Sequence, residues 1–330
     1  MDRYLAKLDH TLRALQGECE TIYVGGGTPT LFDLERLKRF TKLVFERLCP
    51  GSSTEISIEA NPETLDAEKV AFLREHYTRL SLGVQSFDSG SRERIGRNCS
   101  QAKLESAIAL IREAQFPHWN CDLIYSLPGQ NRKMWENDLH LAAQTGADHI
   151  SCYALTPEEN ARLGAEFEED DERETEFYFA AQQVLSQYGI ERYEISNYAK
   201  IGGVCRHNQS VWRGGLLRGF GPSAAGFDGV KRMIEPESLA LWLDDAPAEL
   251  DEIPLAARLN EIFAVNLRTA AGWTPELWAQ VPGADSWEER RQIAGNLQKI
   301  FPDYLLNEQK RIKLTENGLL FWNTIAQELF

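Results

Sequence analysis

The chain has 330 residues and a formal net charge of −15 at pH 7, with 43% hydrophobic and 26% charged residues. These proportions exclude a fibrous or intrinsically disordered chain, and no apolar run approaches the roughly 20 residues that span a bilayer. Because such a negative charge repels phosphate backbones, we expect no nucleic acid partner.

Hydrophobic periodicity predicts alternating helices and strands over the first part of the chain. The predicted helices cover residues 3–16, 33–48, 66–75, 102–114, 133–145 and 175–188. The predicted strands cover residues 21–24, 55–59, 79–85, 120–125, 149–155 and 191–195. Such βαβ units favour a parallel sheet with helices outside it. Since these strands are too few to close an eight-stranded barrel, we expect an α/β fold built on a partial, open parallel β/α barrel.

The pattern becomes α-rich in the last third of the chain. A helix is predicted over residues 287–300, a short basic strand over 311–314 and a terminal helix over 316–329. We expect two domains, a barrel over 1–230 and a small winged-helix-like domain over 231–330. The terminal helix carries no Lys or Arg, so this domain is not expected to read DNA.

Other features of the sequence suggest a cytoplasmic protein. Residues Met1–Lys7 are typical of an amphipathic helix and not of a secretory signal. The cysteines, at positions 19, 49, 99, 121, 152 and 205, form no closely spaced set, which predicts reduced thiols and no zinc ribbon. The densest acidic run, Glu166–Glu176, is interpreted as a solvated loop or the start of a helix.

Polar groups follow the predicted strands, and the carboxyl ends of parallel strands lie on the face of a barrel where ligands bind. Gly25–Gly27 leaves backbone N–H and C=O groups open to a ligand, although a tight turn explains such a loop equally well. Glu59 and Asp122 offer acceptors for sugar hydroxyls. Gln85 adds an amide, and Arg97 adds a guanidinium that can grip a carboxylate. Together these groups indicate a polar small-molecule site.

The order of the motifs is similar to that of a known family. The segments concerned are Thr21–Thr30, Ile58–Pro62, Leu82–Phe87, Ile95–Arg97, Asp122–Gln130, Tyr193–Ala199 and Leu314–Gly318. As a set they resemble the oxygen-independent coproporphyrinogen III oxidase group of the radical S-adenosylmethionine (SAM) superfamily. Within that group, the segment Cys205–Trp212 most resembles the haem chaperones of the HemW type. Their His-Asn-x-x-Tyr-Trp motif is associated with haem binding, and Val211 replaces its tyrosine here.

The resemblance implies a SAM site across the strand ends of a radical SAM-type barrel. The residues that it implies for this site are Gly26, Gly27 and Thr28 near the amino group, Glu59 and Asp122 near the ribose, Arg97 near the carboxylate, and Gln85 and Ala154 elsewhere in the pocket.

The resemblance also implies a haem site. Its candidate residues are His207, Cys205, Asn208 and Trp212. Neutral imidazole is the commonest biological ligand of haem iron, and Cys205 is the competing axial ligand two residues from His207. A histidine in such a position is equally often a structural side chain.

Members of the superfamily hold a [4Fe-4S] cluster through a C-x-x-x-C-x-x-C motif that follows the first barrel strand. This chain contains no such motif, and the helix ahead of Thr21–Val24 suggests that an earlier strand is missing. Because a cluster needs thiolate ligands, we expect that the chain as written does not cleave SAM reductively, and no catalytic residue is assigned.

Three functions remain open. The first is a haem chaperone that delivers haem to acceptor proteins, with SAM and cluster sites in the full-length form. The second is a coproporphyrinogen III oxidase that decarboxylates propionates by radical chemistry. The third is a relative without a cluster that acts as a binding module. The His207 segment favours the first over the second, and the missing cysteines disfavour the second. The haem acceptor and the oligomeric state stay open.

Overall fold

The computed structural model describes residues 1–13, 15, 18–156 and 170–330. These residues form two compact units. Unit 1 comprises Met1–Cys19, Lys42–Gly51 and Arg206–Phe330, and unit 2 comprises Glu20–Thr41 and Ser52–Cys205. The predicted domain boundary at residue 230 stays a prediction.

Helices and strands largely alternate up to residue 199, with two helices after β3 and two strands after α7. The helices are α1 (Asp2–Leu12), α2 (Leu34–Leu48), α3 (Ala67–His76), α4 (Ser89–Arg94), α5 (Gln101–Ala114), α6 (Arg132–Gln144), α7 (Asp171–Ser186), α8 (Arg206–Trp212), α9 (Leu239–Leu243), α10 (Leu255–Leu267), α11 (Pro275–Trp278), α12 (Trp287–Ile300), α13 (Glu316–Leu320) and α14 (Trp322–Gln327). The strands are β1 (Thr21–Val24), β2 (Glu55–Ala60), β3 (Arg79–Gln85), β4 (His118–Tyr125), β5 (His149–Ala154), β6 (Glu191–Arg192), β7 (Asn197–Ala199), β8 (Ala225–Phe227), β9 (Lys231–Ile234), β10 (Glu249–Glu252), β11 (Leu305–Glu308) and β12 (Arg311–Leu314).

Unit 2 is built on a sheet with the strand order β1-β2-β3-β4-β5-β7-β6. Neighbouring strands from β1 to β5 pair in parallel, as predicted, and the sheet forms an open barrel. Beyond β5 the pairing is antiparallel.

The predicted strand over residues 191–195 is therefore wrong, because the chain reverses there into two short strands. The Glu194 carboxylate accepts a hydrogen bond from the Ser196 amide at 2.8 Å and another from the Asn197 side chain. These bonds close a turn between β6 and β7, which alternation alone does not reveal.

The central strands have one apolar and one polar face. The apolar face packs against helices: the ring of Tyr125, on this face, lies 5.4 Å from that of Trp135 on α6. The buried residues of this face are Ile56, Ile58, Leu80, Leu82, Val84, Cys121, Leu123, Tyr125, Ile150 and Cys152. The alternate positions on the opposite face are Glu55, Ser57, Glu59, Arg79, Ser81, Asn120, Asp122, His149 and Ser151. Parallel strands are usually apolar on both faces, so this period of two indicates a polar interior.

Side-chain caps define where the helices of unit 2 begin. Asp66, Ser100, Asn131 and Asp170 each accept a hydrogen bond from the backbone of the first helical turn that follows. Such caps satisfy amides that have no partner inside the helix. The acidic run Glu166–Glu176 begins outside the described residues, and its later part starts α7 as interpreted.

In unit 1, α1 packs on α9, where the rings of Tyr4 and Trp242 lie 5.2 Å apart. Strands β8 to β10 form an antiparallel sheet that the sequence did not indicate. The helix and strand predicted over 287–300 and 311–314 are both confirmed. The predicted terminal helix is broken at Phe321, whose φ and ψ of −96° and 19° depart from helical values.

The C-terminal part of unit 1 is packed around tryptophans. The Trp273 and Trp278 rings meet edge to face at 5.1 Å, and both lie near Phe263 of α10. The guanidinium of Arg268 lies between two further indoles, 5.4 Å from Trp212 and 5.2 Å from Trp322. No helix that the structure describes is long and apolar enough to cross a membrane.

Candidate functional site

Asp122 lies on the polar face of the unit 2 sheet, near the middle of β4. Its carboxylate accepts hydrogen bonds from the Ser81 hydroxyl and the Asn120 amide, each at 2.7 Å. Burial raises the pKa of Asp122 to about 6, although these hydrogen bonds oppose the shift. Asp122 therefore provides a hydrogen-bond acceptor inside the barrel, where it can bind hydroxyl groups.

A buried hydrogen-bond network continues from Asp122 below the strand ends. The Asn120 side-chain oxygen lies 2.7 Å from His149 Nδ1, and His149 Nε2 lies 2.7 Å from the Tyr193 hydroxyl. Burial holds the pKa of His149 well below its usual range, so the ring is neutral. Since Asn120 Oδ1 can only accept, Nδ1 donates to it and Nε2 accepts from Tyr193. Reasoning from motifs missed this network, although the polar alternation in the strands contained the signal.

Glu59 supports the glycine-rich loop after β1. Its carboxylate accepts from the Gly26 amide at 3.1 Å and from the Tyr23 hydroxyl at 2.8 Å. Gly26 has a φ of +82°, which favours glycine, and a Cβ on Gly25 would lie 2.7 Å from the Glu59 carboxylate. The loop therefore depends on glycine at both positions, and it leaves the backbone of residues 26 and 27 exposed.

Gln85 ends β3 in the left-handed region, with a φ of +68°. The register between β3 and β4 shifts between Gly83 and Gln85. Gly83 makes room for the Gln85 amide, because a Cβ there would lie only 2.9 Å from Nε2. The Gln85 side chain thus turns back along its own strand over Gly83, which is paired with Asp122 on β4.

Two arginines near this face have different environments. Arg94 donates to the Pro128 carbonyl at 2.8 Å and so holds the loop after β4. The exposed Arg97 side chain has no hydrogen bond or ion pair with any part of the chain that the structure describes. Arg97 is therefore available to a ligand carboxylate, whereas the Arg94 guanidinium is partly engaged by the Pro128 carbonyl.

The two remaining residues of the proposed SAM set also lie at strand ends. Thr28 follows the glycine loop, and its carbonyl accepts from the Leu31 amide at 2.9 Å. Ala154 is the last residue of β5 and is paired with Tyr125. All eight residues of the set lie in unit 2. Asp122 lies near the middle of β4, Arg97 follows α4, and the other six lie at, near or after the ends of β1, β2, β3 and β5.

The residues of unit 2 fit SAM but not an iron-sulfur cluster. Exposed glycine backbone, two carboxylates and the available Arg97 match the polar groups of SAM. Within the described ranges, no three His, Cys, Asp or Glu side chains are grouped as metal ligands. Four of the cysteines, Cys99, Cys121, Cys152 and Cys205, are buried and free. The part of the chain that the structure describes therefore groups no ligand set for a [4Fe-4S] cluster.

The haem candidates lie at the junction of the two units in the sequence. His207 and Asn208 are half-buried on α8. Trp212, at the end of α8, is 8% exposed and packs against Arg268. Cys205 is 4% exposed in unit 2, and its Sγ lies 3.6 Å from Glu55 Oε1. His207 is thus the more accessible of the two candidate iron ligands.

Comparison with known proteins relates the chain to two groups. The family described as the Radical SAM superfamily matches residues 2–142. "Heme chaperone HemW" of Bacillus subtilis is 30% identical, with 98% of this chain and 90% of that protein covered. The protein of that name in Synechocystis sp. is 33% identical, with 99% and 86% covered.

A solved structure of coproporphyrinogen III oxidase (HemN) from Escherichia coli has a similar fold. Its TM-score is 0.83 at 19% identity, over 99% of this chain and 82% of that one. At this identity the likeness establishes the fold alone. It confirms the expected α/β fold with an open parallel barrel.

Asp122→Asn is expected to stabilise the protein at neutral pH. Because the folded-state pKa is raised to about 6, protonation of Asp122 stabilises the fold below the unfolded pKa, and this contribution is lost as pH rises through about 6. The amide introduced by this substitution is uncharged at every pH, so the folded protein no longer has to bury a charge at this position. The free energy of unfolding should therefore rise by on the order of 1–3 kcal/mol at about pH 8, and by less at about pH 4.5.

Denaturant unfolding at both pH values measures this effect. Asp303→Asn, at an exposed position, is the control and should change stability little at either pH. An Asp122→Asn protein that is less stable than the parent at about pH 8 would contradict the prediction.

Protein of this sequence, reconstituted anaerobically with iron and sulfide, is expected to show no [4Fe-4S] absorbance and to form no 5'-deoxyadenosine. The reason is the absence of a grouped thiolate set. Iron and sulfide analysis with electron paramagnetic resonance is the measurement. Cys49→Ser controls for iron bound by the exposed Cys49 thiol. A stoichiometric cluster signal in both proteins would show that the prediction is wrong.

Proposed function

Because the chain belongs to the HemW family of haem chaperones, we propose that it binds haem and passes it to haem-accepting proteins. The observation that carries this proposal is identity of 30% and 33% to two such chaperones over nearly the whole chain. We also propose that unit 2 binds SAM across the strand ends of the barrel.

His207 is the proposed iron ligand. It is half-buried on α8, whereas the Cys205 thiol is 4% exposed and lies against a buried carboxylate. A porphyrin is large and planar. Because the His207 imidazole lies near the surface, the haem iron can reach it without any opening of the fold. Reaching Cys205 requires the segment around it to move first.

Trp212 is proposed to act as a positioning residue and not as a haem contact. Its ring packs with the Arg268 guanidinium, and α8 contacts α10. The bulk of Ile262 leaves no room for a side chain at Gly214, just after the helix. The end of α8 is thereby anchored in unit 1, and this fixes the helix that carries His207.

For SAM, the proposed contacts follow charge and hydrogen-bonding capacity. Arg97 pairs with the ligand carboxylate, and the backbone of Gly26 and Gly27 meets its amino group. The Glu59 and Asp122 carboxylates accept from ribose hydroxyls and favour the positive sulfonium nearby. Bound SAM supplies a reactive sulfonium centre, and the residues of this chain bind and orient it.

The coproporphyrinogen III oxidase alternative is less well supported. The Escherichia coli oxidase shares the fold at 19% identity, which does not carry its activity to this chain. The described residues hold no thiolate set for the cluster that such radical chemistry needs. A cluster-free binding module remains distinct from the chaperone proposal, because it predicts no haem binding at His207.

His207→Ala is expected to lose or shift the Soret band that forms when haem is added. Cys205→Ala should keep the band of the parent, because the buried thiol is not the ligand. Absorbance titration with haem measures both. His10→Ala, which removes an exposed histidine of α1, is the matched control. If His207→Ala binds haem with the spectrum of the parent, the proposed ligand is wrong.

Arg97→Ala is expected to weaken SAM binding by about tenfold or more, since it removes a charge-assisted pair with the ligand carboxylate. Isothermal titration calorimetry measures the affinity. Arg213→Ala removes another exposed arginine, from the segment after α8, and should bind SAM like the parent. Equal affinity of the Arg97→Ala protein and the parent would remove Arg97 from the site.

A further inference from the structure

We infer that two buried residues, Arg92 and Asp138, are positioning residues that join the Gln85 and Arg97 segments into one ligand-binding element. This inference rests on the proposed SAM site, and it names residues outside the set of ligand contacts. Both side chains are almost completely buried in unit 2, at 1% exposure each. A buried arginine and a buried aspartate are uncommon unless hydrogen bonds hold them.

Arg92 contacts both segments with one guanidinium. Its Nη1 donates to the Ser86 carbonyl at 2.7 Å, directly after Gln85. Its Nε and Nη2 donate to the Cys99 carbonyl at 3.3 Å and 3.2 Å. The Arg92 carbonyl also accepts from the Arg97 amide at 2.9 Å. Arg97 is therefore held on both sides by contacts to Arg92, through its own amide and through Cys99.

Asp138 holds the Gln85 segment from the opposite side. It projects from α6, and its two oxygens accept from the Ser86 hydroxyl at 2.7 Å and the Phe87 amide at 2.8 Å. The Ser86 hydroxyl accepts in turn from the Asp88 amide at 3.1 Å. Ser86 is thus held through its side chain by Asp138 and through its backbone by Arg92.

This arrangement explains how Gln85 keeps its backbone conformation. A non-glycine residue with a φ of +68° carries strain of about 1–2 kcal/mol, so the surrounding contacts must hold it. Arg92 and Asp138 fix the residue that follows Gln85. The charge of Arg92 also favours the ionised form of Asp138, whose pKa burial raises to about 6.

Only a planar donor with several N–H groups can satisfy both segments at once. Lysine at position 92 would keep the positive charge, yet its ammonium is a single point that cannot span the Ser86 and Cys99 carbonyls in the same way. Movement of one segment would then no longer be tied to movement of the other. The Gln85 amide and the Arg97 guanidinium would lose their fixed relative position.

The test compares Arg92→Lys and Asp138→Ala with the parent by amide hydrogen exchange and by calorimetry with SAM. Both variants are expected to raise exchange in residues 85–88 and also in residues 95–99, and to weaken SAM binding by about fivefold or more. Asp138→Asn keeps an acceptor for the Phe87 amide and should recover most of the protection. Ile111→Val, a fully buried change on α5, controls for general loss of stability.

The outcomes distinguish failure of the coupling between the two segments from failure of the proposed SAM site. If Asp138→Ala raises exchange only in 85–88, or Arg92→Lys leaves both segments protected, the coupling of the segments is refuted. The coupling is also refuted if Ile111→Val, at a similar melting temperature, weakens SAM binding as much as Arg92→Lys and Asp138→Ala do. Should Asp138→Ala fail to fold, Arg92→Lys decides alone. A parent that binds no SAM overturns the proposed SAM site, whereas the exchange data still decide whether Arg92 and Asp138 couple the segments.

Discussion

Unit 2 depends on one constraint, which is that polar groups buried on the inner face of a parallel sheet need hydrogen-bond partners. Burial of an unpaired polar group costs roughly 1–3 kcal/mol in proteins, so most of these groups lie in networks, and Ser57 Oγ is an exception. The hydrogen bonds that run from Ser81 through Asn120 to His149 and Tyr193 meet this requirement, and all four of these side chains are neutral. Asp122 adds one titratable carboxylate at the open end of the network. The floor of the proposed SAM site is thereby rigid, and its upper edge is polar.

Loops above this floor are held by contacts that ligands do not share. Arg94 holds the loop after β4, and Arg92 with Asp138 holds the turn after β3. Glu59 differs, because the same carboxylate that is proposed to face the ribose also accepts from the Gly26 amide. A ligand at Glu59 therefore has to share its acceptor with the glycine loop.

Much of the fold could be predicted from periodicity, since β3 and α12 have the predicted bounds. The predictions differ from the structure at two turns within predicted elements, and they omit the sheet of β8 to β10. Glu194 turns the chain between β6 and β7, and the backbone at Phe321 breaks the final helix. In the site, residue type indicated Glu59, Gln85 and Asp122 as strand-end groups. Sequence alone could not distinguish the available Arg97 from Arg94, because that difference depends on a carbonyl 34 residues away in the chain.

The Arg268 guanidinium between Trp212 and Trp322 has a consequence for how related chains diverge. Each indole supplies one wall of a cation–π contact, which contributes about 0.5–2 kcal/mol and fails when the cation or a wall is lost. Both contacts need the same guanidinium, so the two tryptophans depend jointly on Arg268. A lineage that replaces Arg268 loses both contacts at once, and with them part of what anchors the end of α8, the helix that carries His207.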